Sequence, residues 1–319
     1  MRSANFITIT KELLTQRRKD AKTLRFEKTF SSGKRFFAFF VPLHLCVFAL
    51  IFFLPVTAQK VALLSPDGTE QSKTFAVRLG ERLEDKVNLL DGDLSVAAYQ
   101  SVSPLTPFNL TATDSKLIGS AIGCEFFVLL RSATQRRSAF RRDEYYEAYA
   151  HLYVISSRTG RLVFWKNQKR EAAKPDAAAK LLDDSVDGLA KELIEKIKTA
   201  QSDERNSPLA PSIEEVPDAD SPNPNDFKAP IPYRRIKPEY TTEAALYSVT
   251  ATVEILVDTD ANGTISRTEI VRWAGFGLDE SVEKTVRAMN WRPAMRDGKP
   301  LAMRFLLRYN FKKIEKEEQ

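Results

Sequence analysis

Six residues between Asp258 and Glu269 carry the chain's clearest metal-ligand spacing. Asp258, Asp260, Asn262, Gly263, Ile265 and Glu269 stand where a calcium loop places its oxygen ligands, its turning glycine and its closing bidentate glutamate. Such a loop needs flanking helices. Here Thr250, Thr252, Val253, Ile255 and Val257 precede it, β-branched and with a period of two, which is strand patterning. A hairpin turn selects the same Asp, Asn and Gly, because they tolerate positive φ. The expected reading is a turn without metal. A calcium-regulated binding protein using Asp258, Asp260, Asn262 and Glu269 stays as the alternative.

No catalytic constellation stands beside this loop. His44 and His151 are the two histidines, far apart in sequence, and no phosphate-cradling glycine loop or nucleophile elbow occurs. Cys124 follows Ile122-Gly123 into an apolar run, the setting of a buried structural thiol. His151 shares an alternating face with Tyr145, Tyr149 and Tyr153, which points to packing. Arg136, Arg137, Arg141 and Arg142 cluster at the tip of an expected hairpin; that is a solvated loop or a contact for an anionic partner. The chain is expected to be no enzyme and to hold no cofactor.

The net charge of +6 is local. Residues 1–35 hold ten Lys or Arg against three acids, a net of +7, so the rest of the chain sums to −1 and no nucleic-acid partner is expected. After this tail, Phe36–Leu54 has no acid or base beyond His44, about 28 Å of helix and enough to cross a bilayer. Basic residues before it place that side in the cytoplasm and the remainder outside. Residues 36–58 are thus a transmembrane anchor, or a signal peptide cleaved after Val56-Thr57-Ala58. Cys46 follows Leu43-His44-Leu45 and lacks the small residues that precede a lipoprotein cysteine.

Composition divides the exported part. Residues 201–232 hold seven of the sixteen prolines and seven acids against two bases, an extended acidic linker. Before it, 59–200 reads as an α/β domain. Lys60–Leu64 and Phe126–Leu130 are buried strands, and Tyr145–Ile155 and Arg161–Trp165 form a hairpin. Helical spacing follows Phe75, Leu79, Leu83 and Val87, then Leu117, Ile118, Ala121 and Ile122, and again Leu182 to Ile197. One more strand is expected near residues 93–102. The order implies helices on a mixed sheet, and it resembles the small α/β domains of envelope assembly factors such as the amino-terminal part of TolB or CsgG-type proteins.

Residues 233–319 read as antiparallel strands with one packed helix, giving an α+β chain overall. Strand 249–257, the Asp258–Gly263 turn and strand 264–273 make a hairpin. Leu278, Val282, Val286 and Met289 mark a helix. Leu301, Met303, Phe305, Leu307, Tyr309 and Phe311 alternate along the closing strand. Leu278-Asp279, Val286-Arg287, Trp291-Arg292-Pro293-Ala294, Asp297-Gly298-Lys299-Pro300 and the strand to Phe311 resemble the TonB carboxy-terminal domain family. Pro238-Glu239-Tyr240 resembles its opening Pro-x-Tyr, with Thr241 where a proline is usual.

That resemblance implies an energy transducer. Its inner-membrane helix would couple to a proton-driven motor complex, and its last domain would grip the TonB box of an outer-membrane TonB-dependent transporter by adding a strand. The implied partner-binding residues are Leu301, Met303, Arg304, Phe305, Leu306, Leu307, Arg308 and Tyr309. Pro238, Tyr240, Leu278, Asp279, Trp291, Pro293, Asp297 and Gly298 are the family-motif positions. The family's anchor pairs a serine with a histidine four residues on, whereas Phe40 precedes His44 here. Cleavage at Ala58 would instead leave an unenergised periplasmic adaptor.

Overall fold

The computed structural model describes residues 59–139, 142–207, 212–217 and 226–313. The basic tail, the apolar segment with His44 and Cys46, the Ala58 junction, Arg141 and parts of the linker lie outside the described residues. Among the described residues, no helix is long and apolar enough to cross a membrane.

Strand β1 (Lys60–Leu64) leads into α1 (Glu70–Leu83), whose N-cap Thr69 accepts from the Ser72 amide and whose buried stripe is Phe75, Leu79 and Leu83. After the short β2 (Asn88–Leu89) come α2 (Gly92–Val102) and α3 (Ala112–Ile122). The strand expected near residues 93–102 is therefore a helix. Asp91 caps it by accepting from the Leu94 amide at 2.9 Å, and Ser95 and Tyr99, four apart, are its buried residues. Thr111 and Asp114 form a reciprocal capping box at α3. Then follow β3 (Phe126–Ala139), β4 (Arg142–Ser156), β5 (Leu162–Ala172), α4 (Pro175–Asp183) and α5 (Val186–Asn206). The last helix runs to Asn206, past the expected start of the linker at residue 201.

The five strands form one sheet in the order β2-β1-β3-β4-β5, parallel at β2-β1 and β1-β3 and antiparallel at β3-β4 and β4-β5. Alternation assigns its residues to two cores. Phe126, Val128 and Leu130, with Ala148, Ala150, Leu152 and Val154, face α1, α4 and α5. Phe127 and Leu129, with Tyr153 and Ile155, face the other way. Both faces are covered, so 126–130 reads as an unbroken apolar run. Cys124 is buried at the entry to β3, its Sγ 3.3 Å from Ser157 Oγ, and burial pushes its thiol pKa up.

The last two residues of the expected linker form β6 (Ile231–Pro232), and beyond it lie α6 (Thr242–Leu246), β7 (Ala251–Thr259), β8 (Ile265–Arg272), α7 (Leu278–Ala288), β9 (Trp291–Arg292), β10 (Ala294–Arg296), β11 (Lys299–Leu301) and β12 (Met303–Phe311). Antiparallel pairing orders three of them β12-β7-β8, with α7 packed against β7 and β8. The second core of the five-stranded sheet includes Val253, Ile255, Val257, Trp273, Phe276, Val282 and Val286 from this part. Residues on both sides of the linker thus share one core, and all described residues fall in one compact unit.

The seam between the two parts is aromatic. Phe276 has φ +53°, costly for a residue with a side chain. Its ring lies 4.9 Å from His151 and 4.8 Å from Trp165, among contacts that offset that cost. His151 also stacks on Tyr149 at 4.5 Å, so its place is in packing, and burial lowers its pKa to about 3. Asn109 ties the seam together, donating to Thr252 O at 2.8 Å and Trp273 O at 2.6 Å and accepting from Thr252 N at 3.0 Å.

Candidate strand-pairing site

The geometry of this site begins at the turn that sets the register of β7 and β8. Asp260 accepts from the amides of Asn262 and Thr264, each at 2.8 Å, and those amides hold its carboxyl below the usual range. Gly263 has φ +81°, and a Cβ there would stand 2.2 Å from Trp291 O, so both backbone and space require glycine. The flanking elements are strands. The carboxylates of the calcium alternative are engaged elsewhere. Asp258 accepts from Arg304 at 2.6 and 2.8 Å, and Glu269 pairs with Arg161 at 2.7 Å and Arg267 at 2.6 Å. Among the described residues no group of three or more His, Cys, Asp or Glu is gathered as a metal site.

The motif positions build the support of the closing strand. Leu278, Val282 and Val286 bury one side of α7. Asp279 turns back from its first turn to accept from Ala274 N at 2.9 Å and Gly275 N at 2.8 Å. Burial nevertheless raises its pKa to about 7. Trp291 is buried with its ring 4.9 Å from Phe305, which clamps the start of β12. Pro293 separates β9 from β10. Asp297 and Gly298, with φ +50° and +76°, form the two-residue turn between β10 and β11. From the opening motif, after Pro238, Tyr240 donates to Val249 O at 2.8 Å and its ring lies 6.4 Å from Phe311.

The closing strand, expected to run from Leu301 to Phe311, is divided. Leu301 pairs with Ala294 in the β10-β11 hairpin, and the strand proper begins at Met303. Its partner is β7, in a register running from Met303 opposite Thr259 to Phe311 opposite Ala251. Met303 and Phe305 are buried, Leu307 and Tyr309 half-buried, and Leu306 and Arg308 exposed. Arg308 donates to Glu254 at 2.7 Å.

Strand β12 is an edge of its sheet. The Arg304 amide and carbonyl point away from β7, since Arg304 N donates to Glu214 O and Val216 N donates to Arg304 O, both at 2.8 Å. By alternation, Leu306, Arg308 and Asn310 turn their backbone groups the same way. Such a row of donors and acceptors is the chemical requirement for pairing with an added strand. Sequence reasoning missed Glu214, Glu215 and Val216 as occupants of this edge. The available signal was local: Ile213-Glu214-Glu215-Val216 ends apolar on both sides between two prolines, and its acids complement Arg296 and Arg304.

Residues 236–312, about a quarter of the chain, match the family described as Gram-negative bacterial TonB protein C-terminal. No curated protein matches the chain. Among solved structures, the Pseudomonas aeruginosa TonB carboxy-terminal domain is 23% identical, covering 30% of this chain and 94% of its own, with a TM-score of 0.24. Lipoprotein GNA1162 from Neisseria meningitidis is 9% identical over 43% of this chain and 99% of its own, with a TM-score of 0.30. The hypothetical protein CT253 from Chlamydia trachomatis is 13% identical over 46% and 96%, with a TM-score of 0.28.

Proposed function

We propose that the chain, whose residues 236–312 match the TonB carboxy-terminal domain family, is a TonB-like envelope protein whose β12 edge pairs with an extended segment of an outer-membrane transporter. The observation that carries this reading is the row of outward backbone groups at Arg304, Leu306, Arg308 and Asn310 on an edge strand. An incoming strand would pair with the groups of Leu306, Arg308 and Asn310 and take over those of Arg304, which Glu214 and Val216 engage, so affinity would come mainly from main-chain hydrogen bonds and less from side chains. Leu301 lies outside the strand and would take no part. The inward side chains of Met303, Phe305, Leu307 and Tyr309 would hold the strand flat while its edge is read.

The remaining parts follow from the same reading. Residues 36–54 would hold the protein in the inner membrane with its bulk in the periplasm, and a proton-driven motor complex would act through that segment. No step of this function is chemical catalysis. Cleavage after Ala58 would remove the route to a motor and leave a periplasmic adaptor with the same edge. N-terminal sequencing of the mature protein separates the two.

The test is titration of the full chain with a TonB-box peptide, followed by the same titration of Leu306→Pro and Arg308→Pro. Each proline removes one outward N–H from an edge strand, where proline is tolerated. Loss of binding with an unchanged circular dichroism spectrum supports strand addition. Wild-type affinity in both folded variants refutes it.

A further inference from the structure

The edge is not vacant. Residues 212–217 of the acidic linker lie against it, and Glu215 forms a parallel bridge with Arg304. The two hydrogen bonds of that bridge bracket Arg304 from Glu214 and Val216. The side chains agree with the backbone. Glu214 receives a two-pronged contact from Arg296, at 2.5 and 3.2 Å, and this arginine draws its carboxyl below the ordinary range. Glu215 stands 3.8 Å from the Arg304 guanidinium, and Val216 packs against the shared core. The linker is pinned again further along, Lys228 exchanging two hydrogen bonds with Met295 at 2.8 and 2.9 Å.

We propose that Ile213–Val216 is a built-in competitor strand, the resting occupant of the β12 edge, which a partner strand must displace to pair at Arg304. This rests on the reading of that edge as the partner site. The docked segment matches what the edge requires. It runs parallel to β12, sets acids against the two arginines, and presents an apolar residue where the core continues. Pro217 follows at a position whose backbone faces away from β12. It offers no N–H there, so the docked segment does not present that donor to a further strand.

The occupant is also weak enough to leave. It makes one bridge, and the side chains of Glu214 and Glu215 are 51% and 70% exposed, so their contribution is small and screened by salt. Its advantage is the tether. A short linker holds the segment at millimolar effective concentration, which lowers the apparent affinity of a free strand by roughly tenfold for a weakly docking segment.

The experiment uses the full chain and a synthetic peptide with the sequence of residues 211–217. The comparison is wild type against the double variant Glu214→Lys/Val216→Pro. That variant reverses one ion pair and removes one donor without altering β12. Amide hydrogen exchange reads the cis contact, and an NMR titration reads binding of the peptide. We expect Arg304 and Val216 amides to be protected in wild type, Arg304 to lose protection in the variant, and the peptide to bind the variant about tenfold more tightly. An unprotected Arg304 amide in wild type, with equal peptide affinity for both chains, overturns the competitor and leaves strand addition standing. A protected Arg304 amide that the variant frees, with no gain in affinity of the variant over wild type for the peptide, overturns the competition, while strand addition itself stands or falls on the TonB-box titration.

Discussion

Asp279→Asn should change the pH dependence of stability in a way that isolates one buried carboxyl. Asp279 is 9% exposed and accepts two backbone amides, yet burial lifts its pKa from 3.8 to about 7. Between those values the folded chain holds a proton that the unfolded chain releases. Its stabilising contribution is complete below pH 3.8 and is lost as pH rises through 7. At 1.36 kcal/mol per pH unit, the loss is about 4 kcal/mol. His151 works in the opposite direction. Burial lowers its pKa from 6.5 to about 3, so its contribution is complete above 6.5 and is lost as pH falls through 3, again about 4–5 kcal/mol. The two slopes overlap between pH 4 and 6.5 and nearly cancel. Denaturant unfolding of wild type across that range should therefore show little change from this pair. The substituted amide keeps one carbonyl acceptor, so the variant loses about 1–2 kcal/mol at pH 4. From pH 4 to 8 it should then gain about 4 kcal/mol relative to wild type. A constant difference between the two proteins across this range would refute the assignment of a neutral, buried Asp279.

Arg304→Ala should lower stability by about 3–5 kcal/mol in thermal or denaturant unfolding, because it leaves Asp258, 2% exposed, buried without its cation; adding Asp258→Asn should recover part of the loss. Arg308→Ala, whose side chain is 61% exposed, should cost less in the same assay, because buried Glu254 keeps the Arg272 guanidinium 3.9 Å away. Gly263→Ala should cost several kcal/mol by calorimetry, as positive φ and the 2.2 Å approach of Trp291 O act together, and an unchanged melting temperature would contradict the packing of the turn. Millimolar calcium should leave the melting temperature unchanged; binding at 100 times the dissociation constant would add about 2.7 kcal/mol, and a rise abolished by Glu269→Gln would restore the calcium loop.

Much of the fold is legible because burial writes periodicity into the chain. Alternation from Val253 to Val257 and from Met303 to Phe311 marks strands with one buried face, while the unbroken apolar run at 126–130 marks a strand covered on both faces. The helix at Gly92–Val102 is harder to read. Only Ser95 and Tyr99 of it are buried, and Leu94 is 73% exposed, so apolar spacing carries little of its signal. The Asp91 cap is the local clue, and caps weigh less than periodicity in a first reading. The break at Ala302 is invisible for a different reason. Leu301 and Met303 keep the period of two across it, although one pairs with Ala294 and the other with Thr259.

The candidate site shows where pattern stops and tertiary structure begins. Arg304 and Arg308 are expected as partner-binding residues, but each is already held across the sheet, by Asp258 and Glu254, forty-six and fifty-four positions away. The linker is the sharper case. Composition marks 201–232 as too acidic and too rich in proline to fold by itself. That inference concerns burial, and an edge strand needs none: it asks only for extended backbone with donors and acceptors on one side. Prolines favour extended chain, and they leave residues such as Glu214 to Val216 free to donate between them. The features that prevent this segment from building a core of its own are therefore compatible with lying on an edge that another part of the chain provides.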